Sequence, residues 1–459
     1  MTLAKLKAIV GAGGFIENPQ DMAAYTTPWR GAKAGHSPLA LFPQSTQQVV
    51  EIVKICAAAR LPLVPQGGNT GLAGGASVHG EILVNLSHMN RIRVVDTLGY
   101  TITTEAGCIL ARLQAEAKKH HRLFPLSMGS EGSCQIGGNI ATNAGGTNVL
   151  HYGNTRDLVL GIEAVLPDGS LFQGVKSLRK DNAGYDLKQL FIGSEGTLGI
   201  ITAATLKLFP LPAQVETAFL AIPDAQAALE LLALFREHSG DRITAFEYIS
   251  EPALALVVAH LPGARRPLDT AAPAYLLVEL STAEESDTLR TLTEHLLTRG
   301  MERGWITDGA LATSLAQAKE FWHLRESISE AARHAGHGIH FDISVPITRI
   351  PDFLSACDPA VLQAAPQATL VTFGHLGDGN LHYNMTLPQS DISLEKNTIK
   401  TIVYSKLLQL NGSITAEHGI GTLRRDDLVH IKPAADLTLM RTLKRALDPL
   451  GILNPGKVL

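Results

Sequence analysis

The stretch Pro65-Gln-Gly-Gly-Asn-Thr-Gly-Leu-Ala-Gly-Gly75 follows directly after the apolar run at residues 61–64. A short apolar run followed by proline and glycine is typical of a buried strand that continues into a loop. Because glycine has no Cβ, successive backbone N–H groups of this loop can converge on an anion such as a phosphate. The loop lacks the Gly-Lys-Ser/Thr ending of a Walker loop. A flexible connector would have a similar composition, but the strand and the paired glycines favour an anion site.

Glycine-rich tracts recur at residues 129–146 and 193–199. Short strand-like segments lie at residues 82–86 and 101–105, and a segment with helical spacing lies at residues 111–120. The segment from Ile9 to Phe15 looks like the opening of a dinucleotide fingerprint, but Ile16 stands where the third glycine is required. We therefore expect a helix that ends at a glycine cap there, and no Rossmann domain.

The second half of the chain alternates between strand-like and helix-like segments, which favours an α+β or α/β domain with helices covering a sheet. Asp224 precedes the first of these helices and is a candidate N-cap. The strand-like segments are residues 218–222, 243–249 and 275–280, and the helix-like segments are residues 225–238, 252–260 and 283–303.

The composition limits the class of protein. With 459 residues, two or three domains are expected. The chain is 45% hydrophobic and 18% charged with a net charge of -4, which gives no reason to expect nucleic acid or an anionic membrane as partner. The four cysteines form no Cys-x-x-Cys pair, so reduced, mostly buried thiols are expected. The sequence shows no signal-peptide h-region and no membrane span, and we expect a cytoplasmic location.

The stretch Val-Thr-Phe-Gly-His-Leu-Gly-Asp-Gly-Asn-Leu-His-Tyr-Asn, at residues 371–384, places His375 and His382 on either side of a tight turn. His382 and Asn384 are two apart on a strand and share a face. Alone, such a hairpin would favour two structural histidines. The Glu417-His418 pair changes this interpretation, because two imidazoles and a carboxylate suit zinc, iron or manganese. A cation and a proton acceptor, His418, are then expected in one pocket.

These motifs resemble a known family. The tracts at residues 65–71, 136–146 and 180–202 resemble the flavin-binding half of the vanillyl-alcohol-oxidase-type FAD enzymes. With residues 374–384, 417–421 and 454–457, the chain is most similar to the D-2-hydroxyacid dehydrogenases of that superfamily, over nearly its whole length. The resemblance implies an α+β fold. Its parts are a two-subdomain FAD-binding PCMH-type domain (1–210), a ferredoxin-like substrate and metal domain (211–425) and a C-terminal segment (426–459) that returns to the flavin.

The resemblance also implies non-covalent FAD, with its pyrophosphate at residues 67–71. Covalent attachment in this superfamily often uses a histidine or a cysteine, and His36 and Cys134 are the nearby candidates. The family resembled holds FAD non-covalently, so no covalent bond is expected. The cofactor-binding residues implied are Pro65, Gly67, Gly68, Asn69, Thr70, Gly71, Gly129, Ser133, Gly137, Gly138, Asn143, Glu195, Gly196, Ile201 and Asn454.

The same family implies His375, His382 and Glu417 as ligands of a divalent metal, zinc in the first place and otherwise manganese, cobalt or iron. His418 is implied as the base. The implied chemistry is the oxidation of a D-2-hydroxy acid, in which the cation lowers the pKa of the hydroxyl, an imidazole takes its proton and FAD takes the hydride.

Substrate contacts are implied for four residues, Arg325, Ser329, His340 and Asn384. The guanidinium of Arg325 can hold a carboxylate with two hydrogen bonds, and the alternative is a surface ion pair with Glu330. Ser329, four residues on, is expected on the same helix face. His340 stands where the family commonly has a lysine, which weakens attraction for a second carboxylate. D-2-hydroxyglutarate is the favoured substrate, and D-lactate or glycolate is the alternative.

Electrons are expected to pass to an electron-transfer flavoprotein or a quinone, since no nicotinamide motif is visible, and a homodimer is expected from the family. Two other classes of function were considered. A non-redox flavin transferase would need a phosphate-binding substrate site and a conspicuous tyrosine acid, and the sequence shows no clear signature of either. A silent FAD-binding subunit would not need His375, His382, Glu417 and His418 together.

Overall fold

The computed structural model describes residues 1–28, 34–389 and 391–459. Its helices are α1 Thr2–Val10, α2 Pro19–Thr26, α3 Thr46–Ala59, α4 Leu110–Lys119, α5 Ile136–Thr142, α6 Val149–Tyr152, α7 Thr155–Leu158, α8 Ala225–Ser239, α9 Glu251–His260, α10 Thr288–Glu302, α11 Leu315–Glu326, α12 Ile328–His334, α13 Ile350–Ala364, α14 Ser393–Gln409, α15 Arg425–Ile431 and α16 Ala434–Leu447.

Its strands are β1 Phe15–Ile16, β2 Ala40–Leu41, β3 Leu63–Gln66, β4 Ile82–Asn85, β5 Ile92–Asp96, β6 Thr101–Glu105, β7 Arg122–Leu123, β8 Val159–Val165, β9 Leu171–Gly174, β10 Ile200–Lys207, β11 Phe209–Pro210, β12 Gln214–Ile222, β13 Ile243–Ser250, β14 Ala274–Thr282, β15 Asp308–Leu311, β16 His337–Ser344, β17 Thr369–His375 and β18 Asn380–Leu387.

The chain divides into two compact units. The first unit contains residues 1–145, 153–211 and 417–459, and the second contains residues 146–152 and 212–416. The sequence placed the corresponding boundaries after residues 210 and 425. It gave no sign that residues 146–152, which include α6, belong with the second half of the chain.

The first unit is built on two larger sheets. In one, with strand order β1-β2-β4-β3, the strands β2, β4 and β3 run parallel, and α3 connects β2 to β3. This helix buries Val49, Ile52, Val53 and Cys56, and the Ser45 side chain caps its N-terminus. The other sheet, with order β5-β6-β10-β8-β9, is antiparallel. Two separate sheets agree with the two-subdomain architecture predicted for the FAD-binding region.

The second unit contains an antiparallel sheet with the order β15-β12-β14-β13-β17-β18-β16, here called the large sheet. Its first part has α8 between β12 and β13 and α10 between β14 and β15, which is the split β-α-β arrangement of a ferredoxin-like fold. One face of the large sheet packs against α9, α11 and α12 through an apolar cluster that includes Phe219, Ile249, Tyr275, Phe321 and Phe373. The predicted α+β fold class is confirmed.

Local sequence signals predicted several of these elements. The helix α1 ends at Gly11, whose φ of 71° requires a residue without a Cβ penalty, so the expected glycine cap is confirmed. The strand β6 has the predicted bounds, and α8 begins directly after Asp224. The helix predicted over residues 283–303 begins later, at Thr288.

The four cysteines are free thiols and are buried, as predicted. Burial raises the pKa of Cys56 and of Cys357 to about 12. In the part of the chain that the structure describes, no helix combines the length and the hydrophobicity that crossing a bilayer requires.

The Asp224 cap gives a test of the fold of the second unit. Its side chain accepts a hydrogen bond from the Ala227 N–H at 2.7 Å. Asp224→Ala should lower the free energy of unfolding by about 1 kcal/mol, because one N–H of the first helical turn loses its acceptor. Thermal and urea unfolding measure the loss.

Asp287 is the matched control, since it occupies the N-cap of α10 without a side-chain capping bond. Asp287→Ala should change the free energy of unfolding by less than about 0.5 kcal/mol. Equal losses in the two variants would contradict the assigned role of Asp224.

Candidate functional site

The glycine loop after β3 is held at its flanks by amide side chains. Asn85 on β4 donates from Nδ2 to Oε1 of Gln66 at 3.0 Å and to the Gly67 carbonyl at 3.1 Å. Asn69, whose φ is 55°, donates from its side chain to a carbonyl of the N-terminal segment at 3.0 Å. Within the described residues, no backbone N–H of residues 67–71 donates to a backbone carbonyl. The fixed loop therefore keeps the donors that an anion needs.

The second glycine tract packs directly against this loop. A Cβ on Gly68 would come within 2.1 Å of the Ser133 carbonyl oxygen, so only glycine allows this approach. At Gly71, Gly129 and Gly138, in contrast, a Cβ would meet no protein atom within 4 Å. The two tracts thus pack closely at Gly68 and at other positions present bare backbone to open space, as a cradle for a large ligand would.

Buried acceptors without partners give an independent sign of a ligand in the first unit. Among the described residues of this unit, they are Oε1 of Gln135, Oδ1 of Asn139 and Oδ1 of Asn454. A buried polar atom left unsatisfied costs about 1–3 kcal/mol, so most such atoms in native proteins have partners. All three lie in or beside the segments predicted to bind FAD, whose ring N–H and ribityl hydroxyl groups are donors. The residues present therefore fit FAD.

Glu195 and Asn454, both predicted to bind the cofactor, also join three loops of the first unit. The Glu195 carboxylate accepts hydrogen bonds from the N–H groups of Ile420 at 2.7 Å and Gly421 at 2.8 Å. Asn454 donates from Nδ2 to the carbonyls of Gly75 at 2.9 Å and Glu195 at 2.7 Å. Burial raises the pKa of Glu195, and the two backbone N–H groups oppose this shift. These contacts hold the segment that follows Glu417.

Asn143 has a comparable structural contact. It ends α5 with a φ of 51°, and its Oδ1 accepts a hydrogen bond from the Arg156 N–H at 2.9 Å. The remaining predicted cofactor residues lie along the same segments: Pro65 on β3, Thr70 in the glycine loop, Gly137 within α5, Gly196 directly after Glu195, and Ile201 on β10. Their contacts with FAD stay predictions.

In the second unit, polar side chains occupy one face of the large sheet. The register pairs Glu247 with His375, and it pairs His382 with Phe373 on one side and with Asp342 on the other. Cross-strand partners and residues two apart share a face, so these polar side chains lie on the face that carries the apolar cluster. The ring centroids of His375 and His382 are 5.7 Å apart, across the turn at Gly379. The hairpin thus brings its two histidines together.

Glu247 holds two of the predicted site residues. Its Oε1 lies 2.7 Å from Nδ1 of His375, and its Oε2 lies 2.9 Å from Nε and 2.7 Å from Nη2 of Arg325. Burial favours the neutral acid, but the neighbouring His375 and Arg325 outweigh burial and lower the pKa of Glu247 to about 2. The side chain is therefore an ionised carboxylate that is 0% exposed.

Arg325 is only 7% exposed, so the alternative of a surface ion pair with Glu330 is wrong. Its guanidinium lies over the Phe373 ring at 4.7 Å from the centroid. Ser329 does not continue the helix of Arg325, because α11 ends at Glu326 and α12 begins at Ile328, after the cap residue Ser327.

Asp342 anchors the end of the second unit. It is 1% exposed and accepts hydrogen bonds from Nδ2 of Asn380 at 3.0 Å and from Oγ1 of Thr415 at 3.3 Å. Its carbonyl accepts the Ala416 N–H at 3.1 Å, and its Oδ1 lies 3.8 Å from Nδ1 of His382. The backbone next to Asp342 is thereby fixed immediately before Glu417.

Four side chains at this point could hold a cation, namely Asp342, His382, Glu417 and His418. Each offers one ligand atom, and these atoms all lie within 4.8 Å of one another. Imidazole and carboxylate donors suit zinc and the divalent ions of manganese, iron and cobalt. The group includes Asp342, which the sequence analysis did not single out, and it includes the predicted base His418. His375 lies outside it.

The other predicted substrate residues are His340 and Asn384, which are cross-strand partners on β16 and β18. The exposed His340 occupies the same face as Asp342, two residues on. Asn384 is buried, and its Oδ1 accepts the Phe341 N–H at 3.2 Å.

Two functional candidates, Glu247 and Asp342, were missed by sequence reasoning. Each lies within a largely apolar strand segment, Thr-Ala-Phe-Glu-Tyr-Ile for Glu247 and Ile-His-Phe-Asp-Ile for Asp342. An acidic residue in such a segment is a usable signal, because carboxylates are seldom fully buried unless they are paired.

Two families of known proteins match this chain. Residues 211–458 match the family of FAD linked oxidases through its C-terminal domain, and residues 38–174 match an FAD binding domain. A D-2-hydroxyglutarate dehydrogenase of Arabidopsis thaliana, named as mitochondrial, is 38% identical over 99% of this chain and 80% of the relative. One of Stutzerimonas stutzeri is 37% identical over 99% of this chain and 98% of the relative. A putative mitochondrial D-lactate dehydrogenase of Schizosaccharomyces pombe is 38% identical over 98% of this chain and 88% of the relative.

Solved structures share the fold. A substrate-bound p-cresol methylhydroxylase has a TM-score of 0.78 at 15% identity, covering 100% of this chain and 96% of that one. An alkyldihydroxyacetonephosphate synthase has a TM-score of 0.75 at 18% identity, covering 99% of this chain and 84% of that one. The family models and the relatives confirm the predicted resemblance, and the solved structures confirm the PCMH-type fold.

The contact of Glu195 with residues 420 and 421 is testable by amide hydrogen exchange. In Glu195→Gln one carboxylate oxygen becomes an NH₂ group, so one of the two N–H groups loses its acceptor. Exchange in a peptide covering residues 417–423 should become about tenfold faster, which corresponds to a lost hydrogen bond of roughly 1.4 kcal/mol. The exposed Glu51 on α3 is the control, since Glu51→Gln should leave that peptide unchanged. Unchanged exchange in Glu195→Gln would contradict the assignment.

Proposed function

This chain belongs to the family of FAD-linked oxidases, and we propose that it acts there as an FAD-dependent, metal-assisted dehydrogenase of a D-2-hydroxy acid. D-2-hydroxyglutarate is the favoured substrate and 2-oxoglutarate the product. The substrate class is supported by the relatives named D-2-hydroxyglutarate dehydrogenase, which match nearly all of this chain at 37–39% identity.

The observation that carries the proposal is the group Asp342, His382, Glu417 and His418. A fold that only bound flavin would have no need to collect imidazoles and carboxylates within 4.8 Å of one another. We propose that His382 and Glu417 bind a divalent cation together with His375, and that Asp342 orients His382 or adds an oxygen ligand. Zinc is the proposed metal, with manganese, cobalt or iron as alternatives. A bound cation would supply Lewis acidity that lowers the pKa of the substrate hydroxyl.

FAD, when bound, supplies the two-electron acceptor for the hydride. We propose that it is held without a covalent bond. Cys134 is buried, and burial raises the pKa of its thiol, whereas covalent chemistry needs a thiolate.

His418 is the proposed proton acceptor. A neutral imidazole ionises near neutral pH, so it can take a hydroxyl proton that no carboxylate of ordinary pKa would hold. Arg325 is the proposed carboxylate anchor. Two of its five N–H groups bind Glu247, and the remaining donors can bind one substrate carboxylate.

D-lactate is the second candidate substrate, and His340 is the observation that favours it. His340 is exposed on the face of the large sheet that carries Asp342 and His382. Histidine in general is only partly charged near neutral pH, so a histidine here attracts a second carboxylate less than a lysine would. A relative named as a putative D-lactate dehydrogenase is as similar to this chain as the D-2-hydroxyglutarate dehydrogenases are.

Several finer points are part of the same proposal. An electron-transfer flavoprotein or a quinone is the proposed electron acceptor, the proposed assembly is a homodimer, and the proposed location is cytoplasmic. Reduction of a quinone analogue, light scattering and cell fractionation test these points in turn.

The role of His418 is tested by His418→Ala. The variant should keep FAD and retain most of its cation binding but lose about a hundred- to ten-thousandfold in turnover with D-2-hydroxyglutarate, the usual contribution of a general base. His430, exposed on α15, is the matched control, and His430→Ala should behave as the wild type. Turnover near the wild-type rate in His418→Ala would refute its role as the base.

The role of His340 is tested by His340→Lys. A full positive charge there should raise kcat/KM for D-2-hydroxyglutarate about tenfold, which corresponds to one charge-assisted hydrogen bond. The value for D-lactate, which has no second carboxylate, should stay within a factor of two, roughly the error of such comparisons. Parallel changes for both acids would show that His340 does not face the distal group.

A further inference from the structure

Glu247 is a buried charge for which the fold alone gives no reason. It lies in the middle of β13 between Phe246 and Tyr248, and its side chain is 0% exposed. Removing a carboxylate from water costs several kcal/mol, and replacing a whole buried ion pair by apolar residues is often neutral or stabilising. A carboxylate at this position therefore calls for an explanation beyond packing.

The contact with His375 fixes the chemistry of that ring. Glu247 is paired with the guanidinium of Arg325 and is therefore a carboxylate, which only accepts hydrogen bonds. Nδ1 of His375, at 2.7 Å from Oε1, then carries the hydrogen. In the neutral ring Nε2 is then the basic nitrogen, the one able to bind a cation. Histidines that bind metals in other proteins are held in this way by a carboxylate on the opposite nitrogen.

The contact with Arg325 fixes the other partner. Oε2 of Glu247 accepts hydrogen bonds from both Nε and Nη2 of Arg325, and the guanidinium also lies over the Phe373 ring. Long side chains lose rotamer entropy when they bind a ligand, and an arginine already held in place loses less. One carboxylate thus orients the proposed metal ligand and the proposed carboxylate anchor together.

We propose that Glu247 is a positioning residue, which holds His375 as the tautomer that binds the cation and holds Arg325 for the substrate carboxylate. The role of Arg325 rests on the proposed function, because it concerns the carboxylate of the substrate. The role of His375 requires only that the protein binds a cation. In this proposal Glu247 acts through His375 and Arg325 and not on the substrate itself.

The neighbouring strand offers a matched comparison in Glu279. Glu279 is also buried, but its partners are Nε1 of Trp322 at 2.9 Å and Oγ1 of Thr244 at 3.1 Å, which belong to no predicted site. A Glu→Gln change at each position removes the same atom from the same kind of environment, so only the partners differ.

The experiment is a Co(II) titration of the chelator-treated, FAD-containing protein, followed by the visible absorbance of the bound ion. The protein is expected to bind one Co(II) ion tightly at the proposed cation site. This site is identified by the loss of tight Co(II) binding in His382→Ala. Glu247→Gln has one acceptor oxygen for two donors, so it cannot serve Arg325 and His375 together. It should bind Co(II) about 10- to 100-fold more weakly than the wild type, as expected when the partner of a ligand is removed.

Two further variants separate positioning from a general loss of structure. Glu279→Gln should bind Co(II) like the wild type, and Glu247→Asp, which keeps the charge, should bind more tightly than Glu247→Gln. With D-2-hydroxyglutarate as substrate, Glu247→Gln should also raise KM, because Arg325 is released. Melting temperatures and flavin spectra of all variants show whether the fold is retained.

Co(II) binding by Glu247→Gln as tight as in the wild type would overturn the inference, and so would equal weakening in Glu279→Gln. A wild-type protein without a tight Co(II) site would overturn it as well. If the wild type binds Co(II) and Glu247→Gln binds it weakly, but no hydroxy acid reduces the flavin, then the inference for His375 stands and the proposed substrate class fails.

Discussion

A carboxylate removed from water must be surrounded by donors or cations, and two buried carboxylates organise the second unit on this principle. Glu247 gathers His375 and Arg325 from β17 and α11, which are far apart in sequence. Asp342 gathers Asn380 and Thr415. Replacing either carboxylate alone by an apolar residue would leave its hydrogen-bond donors without an acceptor in a buried environment.

These constraints continue along the chain to the proposed base. The Asp342 carbonyl fixes Ala416, and within the first unit Glu195 fixes Ile420 and Gly421. Glu417 and His418 lie between these two anchors. The chain on both sides of Glu417 and the proposed base His418 is thus held by hydrogen bonds, as catalysis by prepositioned groups would require.

Elements governed by short-range signals were predictable from the sequence. The glycine cap at Gly11, the Asp224 cap and the hairpin around Gly379 each depend on a few neighbouring residues. The glycine tracts likewise predicted a binding site formed by backbone groups, because glycine lets the backbone approach a ligand closely.

Pairings between residues that are far apart in the sequence were not predictable. Glu247 is 78 residues from Arg325 and 128 residues from His375, so no local sequence pattern connects them. Helix spacing therefore suggested Glu330 as an alternative partner of Arg325, although the partner in the structure is Glu247 on β13. Residues 146–152 were assigned to the first unit for the same reason, since only tertiary contacts place α6 with the second unit.

We propose that this member of the FAD-linked oxidase family removes a hydride from a D-2-hydroxy acid with the help of a bound cation. The most direct test is the visible flavin spectrum, recorded anaerobically while D-2-hydroxyglutarate is added to native, chelator-treated and metal-restored protein. We expect rapid bleaching in the native protein, slow or no bleaching after chelation, and recovery when the metal is returned. Bleaching at the same rate after complete removal of the metal would contradict the role of the cation, and a flavin that neither D-2-hydroxyglutarate nor D-lactate bleaches would contradict the proposed reaction.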